Sequence, residues 1–596
     1  MGARKRLLRW ANWFALVNAA LLGIVGLRYL WYYSPLEPMV GWPYAVLAYM
    51  GHLSALAYIP LLLLVPVIIL IPQPWIVMPL AVFMSSVGLS FLLLDSMVFA
   101  ENRYHLGFLT FSLLEAKTWG FLFLYFLLGL AVESMVAGWI WRRTAPHQTR
   151  RIGWYLALGL GTCLLVSNLI HAWAEAHYYP PVTAFTRYLP LYQPRTDRGL
   201  VRLGLVDRTR AREQGVASAL GRPSDRALNY PLTPLRCEPR PPMLNVLLVV
   251  IDAMRADALT PEVAPNTFEL AQGAVRFDGN FSGGNSSRAG MFSLFYGLPG
   301  TYWDAFASLT RPPLLMDLFQ RYGYQLGLFS SVPVYRAAAL DRTALARIPN
   351  LRLETVSPYP GSSGWDRTLT DEWFEWLGRR DPAHPFFGFL YYDAAQAIEP
   401  PDRYPLVVPV PPGASKQARL YARYLTAVHY VDSLVGGVLD DLKRRKLFDH
   451  TVVIVTSDHG MEFNENGLGF IGHGTAFSDL QLRTPLVVRW PGRPPGRVDR
   501  RTSHNDVAPT LITKLFGCAN PPSDYSSGHS LFSDAQWDWL IAASYEDFAL
   551  IEPDRVTVVL PSSYEIRDRN YRLVPKPTLP RDVVQAALKE MSRFYR

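Results

Sequence analysis

Side chains able to do metal-assisted ester chemistry recur in this 596-residue chain in a telling order. The run NVLLVVID (245–252) is β-branched and apolar until it stops at Asp252, and TVVIVTSDHG (451–460) runs into Asp458 and His459 in the same way. Hard carboxylate beside borderline imidazole suits a divalent ion such as Mg²⁺, Mn²⁺ or Zn²⁺. Between the two runs lies SGGNSSR (282–288), where Ser286, with Ser287 beside it, would open a helix running to Tyr296. A helix N-terminus favours negative charge, and a metal-bound hydroxyl there becomes a usable nucleophile because its pKa falls. Arg288 could clamp phosphoryl or sulfuryl oxygens. His473, between Gly472 and Gly474, could meet substrate or metal. Singly, each has a plainer reading: Asp252 as a turn or cap residue, 285–287 as an N-cap, His473 as a loop residue. Together they predict one divalent ion held by Asp252, Ser286, Asp458 and His459, with Ser286, Arg288 and His473 acting on substrate. Spacing does not choose between Ser286 and Ser287.

The elements that would carry these residues alternate. Strand-like runs fall at 245–251, 325–329, 386–391, 451–455 and 485–490, with another at 555–560, and amphipathic stretches at 314–322, 366–379 and 416–443. This predicts an α/β domain with a mostly parallel sheet covered on both faces. Ligands in such sheets collect at the carboxyl ends of strands, where Asp252 and Asp458 would lie. The Pro-rich stretch 400–412 reads as a loop.

Half of the residues are hydrophobic, and the excess sits in the first third. Five apolar runs, 10–31, 44–71, 75–100, 119–141 and 152–177, each reach the roughly 20 residues a membrane helix needs. Trp and Tyr cluster at their ends, as interfacial belts do. Arg4, Lys5, Arg6 and Arg9 precede the first run, Arg142, Arg143, Arg150 and Arg151 follow the fourth, and 32–42 has no Lys or Arg. The positive-inside rule then puts the N-terminus in the cytoplasm and everything after Tyr178 outside it. No small-residue cleavage site follows the first run, so it reads as an anchor. Asp95 and Glu133 lie within runs, where a carboxylate costs about 2.5–3.5 kcal/mol; Asp95 is expected near the outer interface and Glu133 bonded to another helix. The expected division is a five-span helical bundle (1–178), an Arg-rich juxtamembrane linker (179–243) and an outer hydrolase-like domain (244–596).

The net charge of +9 is uneven. Arg195, Arg198, Arg202, Arg208, Arg210, Arg212, Arg222, Arg226, Arg236 and Arg240 crowd a stretch with no sustained helical period. Directly after a span, these arginines would either rest on anionic headgroups, at roughly 1 kcal/mol each, or form a solvated linker. The implied partners are the membrane and anionic lipids, not nucleic acid. Cys163 falls in the fifth run; Cys237 and Cys518 would share an oxidising compartment, and whether they bridge is open.

These segments resemble the alkaline phosphatase/sulfatase superfamily. RTPLVVRWPG (483–492) is similar to its sulfatase strand motif, and NDVAPTL (505–511) to the helix that follows; the likeness runs over about 244–531. Five spans ahead of such a domain resemble lipoteichoic-acid synthases, phosphoethanolamine transferases and the YejM/PbgA family of Gram-negative inner-membrane proteins. SGGNSSRAGMFSLFYG (282–297), AVHYVDS (427–433) and Arg103-Tyr104-His105 look most like the last. That resemblance implies an inner-membrane protein of envelope lipid homeostasis, its outer domain periplasmic, that binds lipopolysaccharide or phospholipid. It also implies a link to cardiolipin transport and a membrane-embedded regulatory partner in the proteolytic control of lipopolysaccharide synthesis. Three departures bear on activity. GNSSR (284–288) lacks the Cys and Pro of the sulfatase Cys-x-Pro-Ser-Arg motif, Ala253 stands where a second Asp is usual, and YDAAQ (392–396) lacks the substrate-binding His. True sulfatase activity is therefore not expected. The alternative to a purely lipid-binding protein is an active metal-dependent phosphoesterase or phosphotransferase on envelope lipids, with Ser286 as nucleophile.

Overall fold

The computed structural model describes residues 2–107, 111, 113, 116–144, 152–220, 228–239, 243–336 and 338–595. Arg150, Arg151, Arg222, Arg226 and Arg240 lie outside the described residues, as does the side chain of Arg198. The chain divides into two units, Met1–Asn229 with Ser592–Arg596, and Tyr230–Met591.

The first unit holds α1 (Ala3–Trp31), α2 (Pro38–Leu70), α3 (Pro74–Asn102), α4 (Ala116–Arg143) and α5 (Ile152–Ala176). All five are long and apolar enough to cross a membrane. A helix satisfies its own backbone groups, which hydrocarbon cannot do, and the polar side chains find partners in neighbouring helices. Trp10 Nε1 donates to the Ala137 carbonyl (3.0 Å). Asn18 Nδ2 donates to Glu133 Oε2 (3.1 Å), so this carboxyl does bond another helix. Asp95 accepts from the Tyr29 hydroxyl (2.6 Å) and meets His105 Nδ1 at 2.8 Å. Further along, α6 (Arg208–Leu220) is helical where the sequence showed no period. Its sequence is polar on every side, but Ala211 and Arg212 are buried, so tertiary contact holds what amphipathicity does not announce.

The second unit is built on a seven-stranded sheet. Its strands are β1 (Asn245–Ile251), β2 (Val275–Phe281), β3 (Gln325–Ser330), β4 (Phe386–Tyr392) and β5 (Thr451–Thr456). A short ribbon of β6 (Glu462–Phe463) and β7 (Ile471–Gly472) follows, and β8 (Leu486–Arg489) and β9 (Gly496–Ser503) complete the sheet. The order is β3-β4-β1-β5-β8-β2-β9, and β8 alone pairs antiparallel to its neighbours. β1, β4 and β5 are buried along their whole length, as the unbroken apolar runs require of strands covered on both faces. On one face, Leu247, Val249, Ile251, Val453, Val455, Phe386 and Leu390 share a core with Trp373, Val431 and Val435. Those three belong to the helices Gly361–Arg379 and Lys416–Arg444. On the other, Phe387 stacks on Phe319 and Phe389 meets Phe295 edge-on. The strand expected at 555–560 exists, but in a separate antiparallel sheet of β10 (Leu540–Ala543), β11 (Phe548–Ile551), β12 (Arg555–Val559) and β13 (Tyr564–Asp568). Cys237 and Cys518 are disulfide-bonded, tying the segment before β1 to the one after the helix Val507–Lys514.

Candidate metal centre

Register brings the site together. Val250 pairs with Tyr391 on one side and with Thr456 on the other. Side chains alternate along a strand, so Asp252 and Asp458, each two residues further on, rise with Tyr391 from the same face at the carboxyl ends of adjacent strands. Helix α7 (Ser287–Tyr296) delivers the hydroxyls to that face. Its approach depends on Gly290, where a Cβ would stand 2.0 Å from the Asp458 carbonyl oxygen. The loop before it is pinned by Asn285 N–H donating to the Ala543 carbonyl at the end of β10 (3.2 Å).

Asp252, Asp458 and His459 each offer a ligand atom within 4.8 Å of the others, and all three are buried. His459 Nε2 lies 3.6 Å from Asp252 Oδ1 and 3.4 Å from Asp458 Oδ2. His459 Nδ1 meets the Gly460 carbonyl at 2.9 Å. A carbonyl only accepts, so Nδ1 carries a proton, and Nε2 is the ring nitrogen that faces the two carboxyls. Asp458 Oδ1 accepts from the Ala253 and His459 N–H groups (3.1 and 2.9 Å). Ala253 takes a left-handed φ of 61° to make that contact, so the position of the missing second acid still serves the site through its backbone. The Tyr391 hydroxyl donates to Asp252 Oδ2 and lies 3.1 Å from Asp458 Oδ2. Asp252 Oδ1 is buried with no hydrogen-bond partner.

The two carboxyls are driven apart in acidity. Burial, and then the Asp458 charge, push Asp252 well above the usual carboxylate range. Burial also opposes ionisation of Asp458, but His459 and the Ala253 N–H outweigh it and hold that carboxyl down. Such a pair, with an unfilled oxygen and the imidazole Nε2 beside it, is a donor set suited to one divalent cation.

The expected site residues are not all equivalent in place. Ser287 Oγ lies 3.2 Å from His459 Nε2, whereas Ser286 is the N-cap of α7, caps no backbone N–H, and has a buried Oγ without a partner. Arg288 lies over the Trp303 ring at 4.1 Å and 5.2 Å from Tyr545, with its Nε buried and unpartnered. His473 stacks on His459 with centroids 4.4 Å apart. Its Nε2 lies 3.2 Å from Gln396 Nε2, which can only donate, and burial, then His459, push its pKa down to about 4. Gln396 thus comes to His473 from the segment where a substrate-binding histidine was missing. Of the basic residues, Arg195 and Arg202 are exposed, Arg208 pairs with Asp197 at 3.1 Å, and Arg210 is exposed beside Asp207. Arg212 is only 2% exposed. Sequence reasoning missed Tyr391, Gln396, Trp303 and Tyr545. The signal for Tyr391 was its place near the end of a parallel strand, paired with Val250 and two residues short of the level of Asp252.

Two family models match in tandem: the domain of unknown function DUF3413 over residues 2–237 and Sulfatase over residues 244–517. Inner membrane protein YejM of Salmonella typhimurium is 29% identical over 612 residues, spanning 99% of this chain and 97% of that one. An uncharacterised protein of Haemophilus influenzae is 27% identical over 565 residues, 92% of this chain and 89% of its own. Among solved structures, a protein of the alkaline phosphatase superfamily from Vibrio parahaemolyticus matches at 17% identity and TM-score 0.46, covering 63% of this chain and 93% of that one. Over nearly its whole length the chain is similar to the inner membrane protein YejM, and it carries five membrane-length helices ahead of a sulfatase-superfamily domain.

Proposed function

We propose that this protein serves envelope lipid homeostasis from the inner membrane, and that its outer, periplasmic domain holds one divalent ion for phosphoester chemistry on an envelope lipid. The observation that carries this reading is Asp252 Oδ1, a buried carboxyl oxygen with no donor, beside Asp458 and Nε2 of His459. Left without a cation, two buried carboxyls side by side are costly. Asp252, Asp458 and His459 would hold the ion, with Ser286 as a fourth ligand. When bound, it would polarise a phosphoryl oxygen and lower the pKa of a serine hydroxyl. Ser286, buried and unpartnered among the described residues, is the proposed nucleophile; its oxygen would attack phosphorus while its proton passes to the departing lipid alkoxide, and water or an acceptor alcohol would then displace serine from phosphorus. The Arg288 guanidinium, backed by Trp303, would hold phosphoryl oxygens, and neutral His473 would hydrogen-bond the substrate. The exposed arginines Arg195, Arg202 and Arg210 would face anionic headgroups of lipopolysaccharide or cardiolipin.

The test is rescue of a strain depleted of this protein by a Ser286→Ala/Asp458→Ala double variant, with membrane abundance and lipopolysaccharide level measured. Loss of rescue at normal abundance is expected. Full rescue would mean that the metal centre is dispensable and that lipid binding by the membrane region carries the function.

A further inference from the structure

We propose that Tyr391 is the positioning residue of this centre: its hydroxyl fixes Asp252 so that Oδ1, opposite His459 Nε2, is presented to the ion. The proposal rests on the metal-centre reading above. Asp458 has independent anchors, since its Oδ1 takes two backbone N–H groups. Asp252 has none for its side chain: Oδ1 is unpartnered, and Oδ2 accepts only from Tyr391 among the described residues. Among the described residues, no donor other than the phenol holds the Asp252 carboxyl in one rotamer.

The fold makes this hydroxyl available by register, not by chance of rotamer. β4 reads Phe387, Phe389, Tyr391 along one face, and the first two are ordinary apolar packing against Phe319 and Phe295. Tyr391 continues that aromatic row to the level of Val250, and its hydroxyl, the one polar atom the row contributes, reaches the Asp252 carboxyl. The ring is 1% exposed, so a phenol there needs a partner. It offers a single proton to two carboxylates, donating to Asp252 while standing 3.1 Å from Asp458 Oδ2. One hydroxyl wedged between two acids sets their spacing, as hydrogen-bonding partners behind metal ligands do.

The experiment uses the full chain in detergent, stripped of metal with a chelator. Mn²⁺ is titrated calorimetrically, and Co²⁺ is added to read the ligand field from its visible absorption. Tyr391→Phe keeps the aromatic row and removes only the oxygen. It is expected to weaken Mn²⁺ binding by about 10- to 100-fold and to alter the Co²⁺ spectrum. Tyr391→Met, which fills the space with no donor, is expected to do the same, and guards against a misfolded first variant. Unchanged affinity and spectrum in either folded variant overturn the positioning role while leaving the metal centre standing. If the unaltered protein binds neither ion, the metal-centre reading falls, and this role with it.

Discussion

The Ser287 hydroxyl stands 3.2 Å from Nε2 of His459, the ring nitrogen that faces the two carboxylates while Nδ1 donates to the Gly460 carbonyl. Nε2 is also the atom a cation would claim, so Ser287 and the ion compete for it. Ser286 Oγ has no partner among the described residues. Ser286→Ala is therefore expected to reduce metal-dependent phosphoester turnover to background. Ser287→Ala should lower it about 10- to 100-fold through loss of positioning and slightly tighten metal binding. Steady-state turnover and Mn²⁺ titration of the two variants check this, and a reversed order of severity would move the nucleophile to Ser287.

A second expectation concerns charge. The Asp252 carboxyl is disfavoured by burial and by Asp458, so the metal-free protein keeps an arrangement that suits ligand binding at the cost of stability. Asp252→Asn removes the carboxyl that burial and Asp458 disfavour while keeping an acceptor for Tyr391. Its metal-free melting temperature should rise by a few degrees. The stabilisation that Mn²⁺ confers on the parent, about 2.7 kcal/mol at a hundred times its Kd, should vanish. Melting curves with and without Mn²⁺ decide; a variant that melts lower without metal and still responds to it contradicts the assignment.

Much of this arrangement was legible in the chain because parallel central strands are buried on both faces. Their residues run apolar without alternation until the strand meets the ligand edge, so Asp252 and Asp458 stand out as interruptions. The side of the sheet beyond β8 hides better. β2 reads VRFDGNF and β9 reads GRVDRRTS, with charges interleaved as half-exposed strands permit, and neither announces itself. Tyr391 was invisible for the opposite reason: in an aromatic row one more ring looks like core, and only register shows its hydroxyl between two acids. The Arg-rich stretch misled through composition, since α6 is held by burial of Ala211 and Arg212 and not by a hydrophobic stripe.

His504 should make the second unit acid-sensitive. It is fully buried, and Thr484 Oγ1, which accepts from Asn280, lies 3.1 Å from its Nε2. Burial pushes its pKa down to about 4 from an ordinary 6.5. The unfolded chain thus holds more protons between pH 4 and 6.5. Stability from this group is complete above pH 6.5 and is lost as pH falls towards 4, by about 3 kcal/mol in all. His504→Gln should flatten that part of the curve while costing some stability at pH 7. Urea unfolding at pH 7 and pH 5 measures it; parallel losses in parent and variant would remove His504 as the cause.

The basic residues of the first unit are expected to separate by exposure. Arg210 has 83% of its side chain exposed, and Arg195 and Arg202 are also exposed, so their charges are free to meet headgroups. Arg212 is not. In nanodiscs of neutral lipid doped with fluorescent cardiolipin or lipopolysaccharide, replacing Arg195, Arg202 and Arg210 together by Gln should weaken enrichment of the anionic lipid. At about 1 kcal/mol per residue the loss approaches 100-fold, and it should shrink at high salt because exposed charges are screened. Arg212→Gln should instead lower thermal stability and leave enrichment per folded molecule near the parent value, since a guanidinium held inside cannot reach a headgroup. Equal enrichment by the triple variant and the parent would mean that the arginine stretch is a solvated segment with no lipid role.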